Sequence, residues 1–342
     1  MKALVLEEYG KFVYKEAPVP KIGPNDVLVE VKACSVCGSD VHGMDGSTGR
    51  RKPPIIMGHV AAGVVAKVGT EVKNVIIGDR VTFDSTIYCG ECDYCLEGRI
   101  NLCDKRRVLG VSCDEYKMDG AFAEYVSVPA RVIYKLPDTV TFEQASMIEP
   151  LSVAFHAVEQ ARVRSGNAVV IGCGTIGLLI AQLLQLKGFS RVIAADVAIE
   201  KLELAKSLGF VNLINTQEEN ILSGVKRLTN GEGIDLSIDA VGVENSVMNA
   251  LKILKKGAEC VLVGNLSPTV TIPLQEVVTK QITILGSCVS AGEYPVCLAH
   301  IADGKVNVEK LASKIVPLAD GNEWIQKVYN RDPGLYKIIL IP

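Results

Sequence analysis

Four cysteines fall close together, Cys89, Cys92, Cys95 and Cys103, in the spacing Cys-x2-Cys-x2-Cys-x7-Cys. Four thiolates so near one another suit a tetrahedral Zn²⁺ whose shell they fill, leaving no position for a substrate, so this chemistry is structural. An iron–sulfur cluster also takes four cysteines, but the run lacks the Cys-Pro and the spacing of the usual ferredoxin motif. The Asp, Glu and Arg residues among the cysteines put this loop, residues 86–106, on the surface, a position suited to a subunit contact.

A second set has different ligand types. Cys37-Gly38-Ser39-Asp40-Val41-His42 is followed 17 residues on by His59, in Gly58-His59-Val60, and far downstream by Glu149-Pro150. One thiolate, one imidazole and one carboxylate make a three-ligand zinc site with an open fourth position, as a Lewis-acid catalyst requires. The chain holds only four histidines, His42, His59, His156 and His300, so any imidazole ligand comes from these.

A third run, Gly172-Cys173-Gly174-Thr175-Ile176-Gly177, follows an apolar stretch and opens a helical one. In that setting Gly172 permits a tight turn, Gly174 lets the backbone approach a pyrophosphate, and Gly177 lets helix and strand pack closely. The helix N-terminus faces the phosphate charge. Asp196 stands 19 residues after Gly177, placed to bind both ribose hydroxyls and to repel a 2′-phosphate, and no Arg follows it directly, which favours NAD over NADP.

Positioning these groups needs two kinds of scaffold. Up to about residue 150, β-type runs at 27–31, 63–68, 79–83 and 123–128 are broken by Gly, Pro and Asp, the pattern of a loop-rich barrel. Beyond it, strands at 168–171, 191–195, 211–214, 234–238, 259–263 and 282–285 are interleaved with helices at 175–187, 199–208 and 244–254. That rhythm predicts right-handed βαβ units and a doubly wound parallel sheet. A final strand at 336–341 falls outside the series and is expected to rejoin the first domain.

Composition agrees with two cores in 342 residues: 48% of them are hydrophobic and only 5% aromatic, suited to parallel sheets and tight turns. With 36 Lys+Arg against 39 Asp+Glu, no basic face is available for nucleic acid or an anionic membrane surface. The N-terminal apolar stretch ends at Glu7, too short for a secretory signal, so a reducing cytosol is expected, in which the eleven cysteines serve metals and packing rather than disulfides. Ser165 to Leu186 carries no charge and has the length of a membrane span. Its glycines and its change from a Val-Val-Ile run to a Leu-rich helical run read instead as strand, turn and buried helix.

Together with Gly78-Asp79-Arg80-Val81, Glu149-Pro150-Leu151-Ser152, Asp239-Ala240-Val241-Gly242 and the closing Lys337-Ile338-Ile339-Leu340, these motifs run the length of the chain. It resembles the zinc-containing medium-chain dehydrogenase/reductase family, and within it the polyol (sorbitol or L-iditol) dehydrogenase branch. The resemblance implies an α/β fold: a GroES-like β-barrel catalytic domain from residues 1–153 and 289–342, an inserted Rossmann domain at 154–288 binding NAD, and an active site in the cleft. It implies one catalytic zinc on Cys37 and His59, with Glu149 as third ligand or as partner of zinc-bound water, beside the structural zinc. Ser39 and His42 match the positions that relay the substrate proton to solvent. Gly172, Gly174, Thr175, Ile176, Gly177, Asp196, Lys201, Val241 and Val263 are the implied cofactor contacts. The implied reaction passes hydride from a secondary alcohol of a polyol, sugar or sugar phosphate to NAD, giving the ketone, in a cytoplasmic homo-oligomer, tetramer or dimer.

One position departs from the family. Where it has Gly-His-Glu, this chain has Gly58-His59-Val60, and valine neither ligates zinc nor assists ligand exchange. Either Glu149 compensates, or metal affinity and turnover both fall and the chain is a catalytically silent NAD-binding protein. L-threonine 3-dehydrogenase shares the Cys, His and relay pattern and Glu149-Pro150-Leu151, whereas a simple alcohol dehydrogenase would carry Cys where Glu149 stands. Cys34 ends an alternating strand and is expected in the core, and Cys113, Cys173, Cys260, Cys288 and Cys297 are expected as small buried hydrophobes. His156 is expected on a helix near the cofactor and His300 as structural. Arg50-Arg51-Lys52 reads as a solvated loop, or as a clamp for an anionic group of the substrate.

Overall fold

The computed structural model describes residues 1–342, in two units: Met1–Glu149 with Tyr294–Gly304 and Leu311–Pro342, and Pro150–Glu293 with Lys305–Lys310. The first unit opens with β1 (Lys2–Glu8), β2 (Lys11–Glu16) and β3 (Asp26–Ser35), then α1 (Gly38–Gly43), β4 (Ile55–Ile56), β5 (Val60–Val68) and β6 (Arg80–Phe83). The cysteine loop carries β7 (Thr86–Ile87), α2 (Asp93–Leu96) and β8 (Arg107–Val108), and the hairpin of β9 (Val111–Ser112) and β10 (Lys117–Met118) follows. β11 (Tyr125–Pro129), β12 (Ile133–Lys135) and α3 (Phe142–Ala145) lead to α4 (Ile148–Gln160), which starts in the first unit and continues in the second.

The second unit alternates strand and helix: β13 (Asn167–Ile171), α5 (Thr175–Leu186), β14 (Arg191–Asp196), α6 (Ile199–Ser207), β15 (Leu213–Asn215), α7 (Ile221–Thr229), β16 (Ile234–Asp239), α8 (Glu244–Lys252), β17 (Leu254–Leu262), α9 (Leu274–Lys280) and β18 (Thr283–Gly286). All pairings are parallel, in the order β15-β14-β13-β16-β17-β18, the doubly wound arrangement. Central β13 is buried at every residue because helices cover both faces of such a sheet, which is why its stretch 168–171 is an unbroken apolar run.

The chain then returns to the first unit with α10 (Tyr294–Ala302), β19 (Lys314–Pro317), α11 (Gly321–Tyr329) and β20 (Ile338–Ile341). β20 inserts between β3 and β19 in a sheet ordered β12-β6-β5-β3-β20-β19, with β11 also paired to β3. The core beneath this sheet gathers Leu4, Val29, Ala61, Phe83, Phe122 and Leu340.

Three details of the second unit differ from the pattern in the sequence, one being α9, which was not expected. Helix α7 was not among the expected elements, although Ile221, Val225 and Leu228 share one face; Asn220 caps its start by accepting from the Leu222 N–H at 2.9 Å, and Asn230, at φ 52°, ends it. The strand expected at 211–214 begins two residues later, because Val211 lies 84% exposed outside the sheet. The uncharged stretch 165–186 divides into β13, a glycine turn and α5, and no helix is long and apolar enough to cross a membrane.

Candidate metal centres and dinucleotide site

The sulfurs of Cys89, Cys92, Cys95 and Cys103 all lie within 4.8 Å of one another. Cys92 and Cys95 are 3.5 Å apart and Cys89 and Cys95 3.9 Å, which fits the roughly 3.8 Å edge of a tetrahedron with Zn–S bonds near 2.3 Å. Backbone amides already face these sulfurs: Glu91 and Cys92 N–H groups donate to Cys89 Sγ at 3.4 Å, and the Cys89 N–H to Cys103 Sγ at 3.2 Å. Those two donors on Cys89 hold its thiol down at about 6, the thiolate a metal needs.

The second donor set is built around α1. Cys37 stands at its N-cap, and its N–H donates to Asp40 Oδ2 at 3.0 Å, so the first turn is closed by its own aspartate. The other oxygen, Oδ1, lies 3.3 Å from Nδ1 of His59, at the turn before β5. The contact is an ion-pair approach rather than a hydrogen bond, neither atom having a hydrogen-bond partner, and it sets a carboxylate beside the imidazole as at zinc-bound histidines. Cys37, His59 and Glu149, the last from the first turn of α4, bring their ligand atoms within 4.8 Å of one another. Ser39 Oγ is 3.4 Å from His59 Nε2, while His42, one turn further along α1, is exposed.

Electrostatics prepares this set for a cation. Burial opposes the Cys37 thiolate, yet the charge of Lys337 and the hydrogen bond from His59 outweigh it and hold the thiol at about 6. Burial likewise disfavours ionised Asp40, but His59, then Arg51, bring its carboxyl down to about 2. Glu149 goes the other way: burial, reinforced by the Cys37 charge, raises its carboxyl to about 7. A soft thiolate, an oriented imidazole and a carboxyl short of positive charge fit a divalent zinc ion.

In the second unit the glycine run does what its spacing predicts. A Cβ on Gly177 would fall 1.7 Å from the Gly172 carbonyl oxygen, so only glycine lets α5 rise this close to the turn, while around Gly174 there is open space. Asp196 ends β14 with both oxygens fixed, Oδ2 by the Cys173 N–H at 2.7 Å and Oδ1 by the Ala198 N–H at 2.9 Å, and Lys201 Nζ is 3.7 Å away. Val241 packs against Gly172, and the Val263 N–H donates to the Asp239 carbonyl at 2.9 Å, which brings the loops after β16 and β17 to the same end of the sheet.

Sequence reasoning missed Asp40 and Lys337 as members of the metal centre; each was only part of a motif, and their significance comes from burial. Two expectations need correction. Cys288 is exposed and Cys113 half-buried, because both lie in loops rather than in a core. Arg51 is 5% exposed, not part of a solvated loop, since its side chain folds back over α1. His156 does lie on a helix, as expected, where its Nδ1 pairs with Glu293 at 2.5 Å, and it belongs to neither donor set.

Residues 23–138 match the family described as “Alcohol dehydrogenase GroES-like domain”, and residues 175–303 the one described as “Zinc-binding dehydrogenase”. D-xylulose reductase A of Aspergillus oryzae is 34% identical over 336 residues, covering 95% of this chain and 93% of that protein. Galactitol-1-phosphate dehydrogenase from Escherichia coli superposes with a TM-score of 0.91 at 29% identity, covering 100% of this chain and 100% of that one. A Sinorhizobium meliloti 1021 structure with NADP bound gives 0.90 at 29% identity, covering 100% of this chain and 99% of that one.

Proposed function

The chain belongs to the zinc-containing medium-chain dehydrogenase family, its relatives lying in the polyol branch, and from that premise we propose that it oxidises a secondary alcohol of a polyol, sugar or sugar phosphate to the ketone, using NAD. The observation that carries this reading is the three-donor set of Cys37, His59 and Glu149, complete without position 60. These residues would hold the catalytic zinc, which supplies Lewis-acid polarisation of a hydroxyl; bound NAD supplies the hydride acceptor.

The chain's own residues do the rest. Asp40 faces the His59 ring and steadies its orientation by charge. The Ser39 hydroxyl, beside His59, takes the alcohol proton as it hands its own to His42, three residues on and on the same face of α1, and His42 releases a proton to water. With NAD bound, the carbinol C–H bond would break with loss of hydride, so that one alcohol and one NAD⁺ would give one ketone, one NADH and one proton. In the second unit, Gly172, Gly174, Thr175, Ile176 and Gly177 would hold the dinucleotide's pyrophosphate with amides at the N-terminus of α5, and Val241 and Val263 would bind its nicotinamide half. The fixed carboxylate of Asp196 pairs with the ribose hydroxyls and repels a 2′-phosphate, which supports NAD; Lys201 offsets that charge in part. The open edge of β18, beside exposed Leu274 and Val278, supports a homo-oligomer.

The test is zinc per chain together with NAD reduction across pentitols, hexitols, their phosphates and L-threonine. Two zinc ions and turnover of a polyol are expected. Turnover of threonine alone would replace the substrate class, and tight NAD binding without turnover would favour the silent reading that Val60 permits.

A further inference from the structure

Arg51 lies in a dense basic run, Arg50-Arg51-Lys52, yet it alone of the three is buried. Its stem crosses the end of α1: a Cβ on Gly43 would meet Arg51 Cγ at 2.8 Å, so the path of the side chain depends on glycine there. Its Nη1 donates to the Arg50 carbonyl at 3.1 Å, its Nη2 reaches Asp40 Oδ1 at 3.8 Å, and its Nε is buried without a hydrogen-bond partner. A guanidinium out of water is costly unless an anion faces it, and the anion here is Asp40. That carboxylate has one oxygen committed to the Cys37 N–H, so the oxygen shared with Arg51 is the one that faces His59.

We propose that Arg51 is a positioning residue of the metal centre: lying over Gly43 and facing Asp40, it locks α1 at both ends and so fixes Cys37 and the ring of His59 where a metal binds. The inference rests on the metal reading proposed above. A lysine in its place would keep the charge and an aliphatic stem over Gly43 but lose the planar fork. Removing an outer-shell partner of a zinc-bound histidine typically costs about 10–100-fold in metal affinity, and that range is expected here.

The test compares the full-length chain with Arg51→Met, Arg51→Lys and Gly43→Ala, the last displacing Arg51 without removing it. Metal retained under increasing chelator is counted per chain, and the visible spectrum of the Co²⁺-substituted protein reports ligand geometry, with the four-cysteine site as internal reference. Arg51→Met is expected to lose the Cys37-His59-Glu149 metal at 10–100-fold lower chelator concentration while keeping the cysteine-bound ion. Arg51→Lys should fall between it and wild type, Gly43→Ala should reproduce the loss, and all three should shift the Co²⁺ spectrum. These two milder variants carry the test if Arg51→Met does not fold. Unchanged retention and spectrum in variants of a two-zinc protein would overturn the proposal and leave the proposed function standing; a wild-type chain holding only one zinc would overturn both.

Discussion

Glu149 shows how protons and metal compete at one residue. Its carboxyl, raised by burial to about 7, and Cys37, held at about 6, must both be deprotonated to bind zinc. His59, whose imidazolium, despite burial, Asp40 holds well above its ordinary range, must lose its proton too. Zinc affinity at this site is therefore expected to fall already from above pH 7 and more steeply as Glu149 and Cys37 protonate, which competition titrations with a chromophoric chelator would measure. In the metal-free chain the sign reverses: between the unfolded glutamate value near about 4.3 and the folded value, the native state holds a proton that the unfolded chain has lost. This group's contribution to metal-free stability thus declines as pH rises through that window, and Glu149→Gln should flatten the thermal-melt dependence there. Val60 is buried at the start of β5; because Glu149 already completes the donor set, Val60→Glu should leave zinc at two per chain while raising turnover by speeding ligand exchange. Asp196→Asn should raise the NADP-to-NAD ratio of kcat/KM by about tenfold or more, equivalent to about 1.4 kcal/mol. Residue types and spacing made the ligands legible. Asp40 and Arg51 were not, because an aspartate after a serine and an arginine between two basic residues look solvated until a helix is folded over them.

Elements fix how much such residues can move. Gly177 sits where α5 meets the turn after β13, and Gly177→Ala would force that helix away from the Gly172 carbonyl. A penalty of about 3 kcal/mol, the upper end for overpacking, is expected, with NAD affinity lost while the four-cysteine site still binds zinc, a pairing readable by fluorescence titration and metal analysis on one sample. The alternating elements of the second unit were legible because a parallel sheet buried on both faces writes its central strands as apolar runs, residues 168–171 above all. Helix α7 escaped because its apolar positions are diluted by Ser, Gly, Lys and Arg, and the small strands around the cysteine loop because two-residue pairings carry no periodicity.

At the scale of the whole chain, the two units hold different ligands, and each ligand should stabilise its own host by mass action. Saturating NAD is expected to slow hydrogen exchange in β13, α5 and β14 without protecting residues 86–108, whereas a chelator should accelerate exchange in 86–108 and α1 and leave β13 unchanged. Peptide-resolved exchange would show this, and equal protection throughout would contradict it. The interruption of the first unit by the second also orders events during synthesis. Strand β20 lies inside the sheet against β3, and Lys337, whose charge steadies the Cys37 thiolate, immediately precedes it. At about 5–20 residues per second, on the order of ten to forty seconds separate the emergence of Glu149 from that of β20. During that interval a nascent chain can already close its nucleotide-binding sheet while its first sheet still has a gap beside β3, so the ribosome delivers a cofactor-binding protein before it delivers a metalloenzyme.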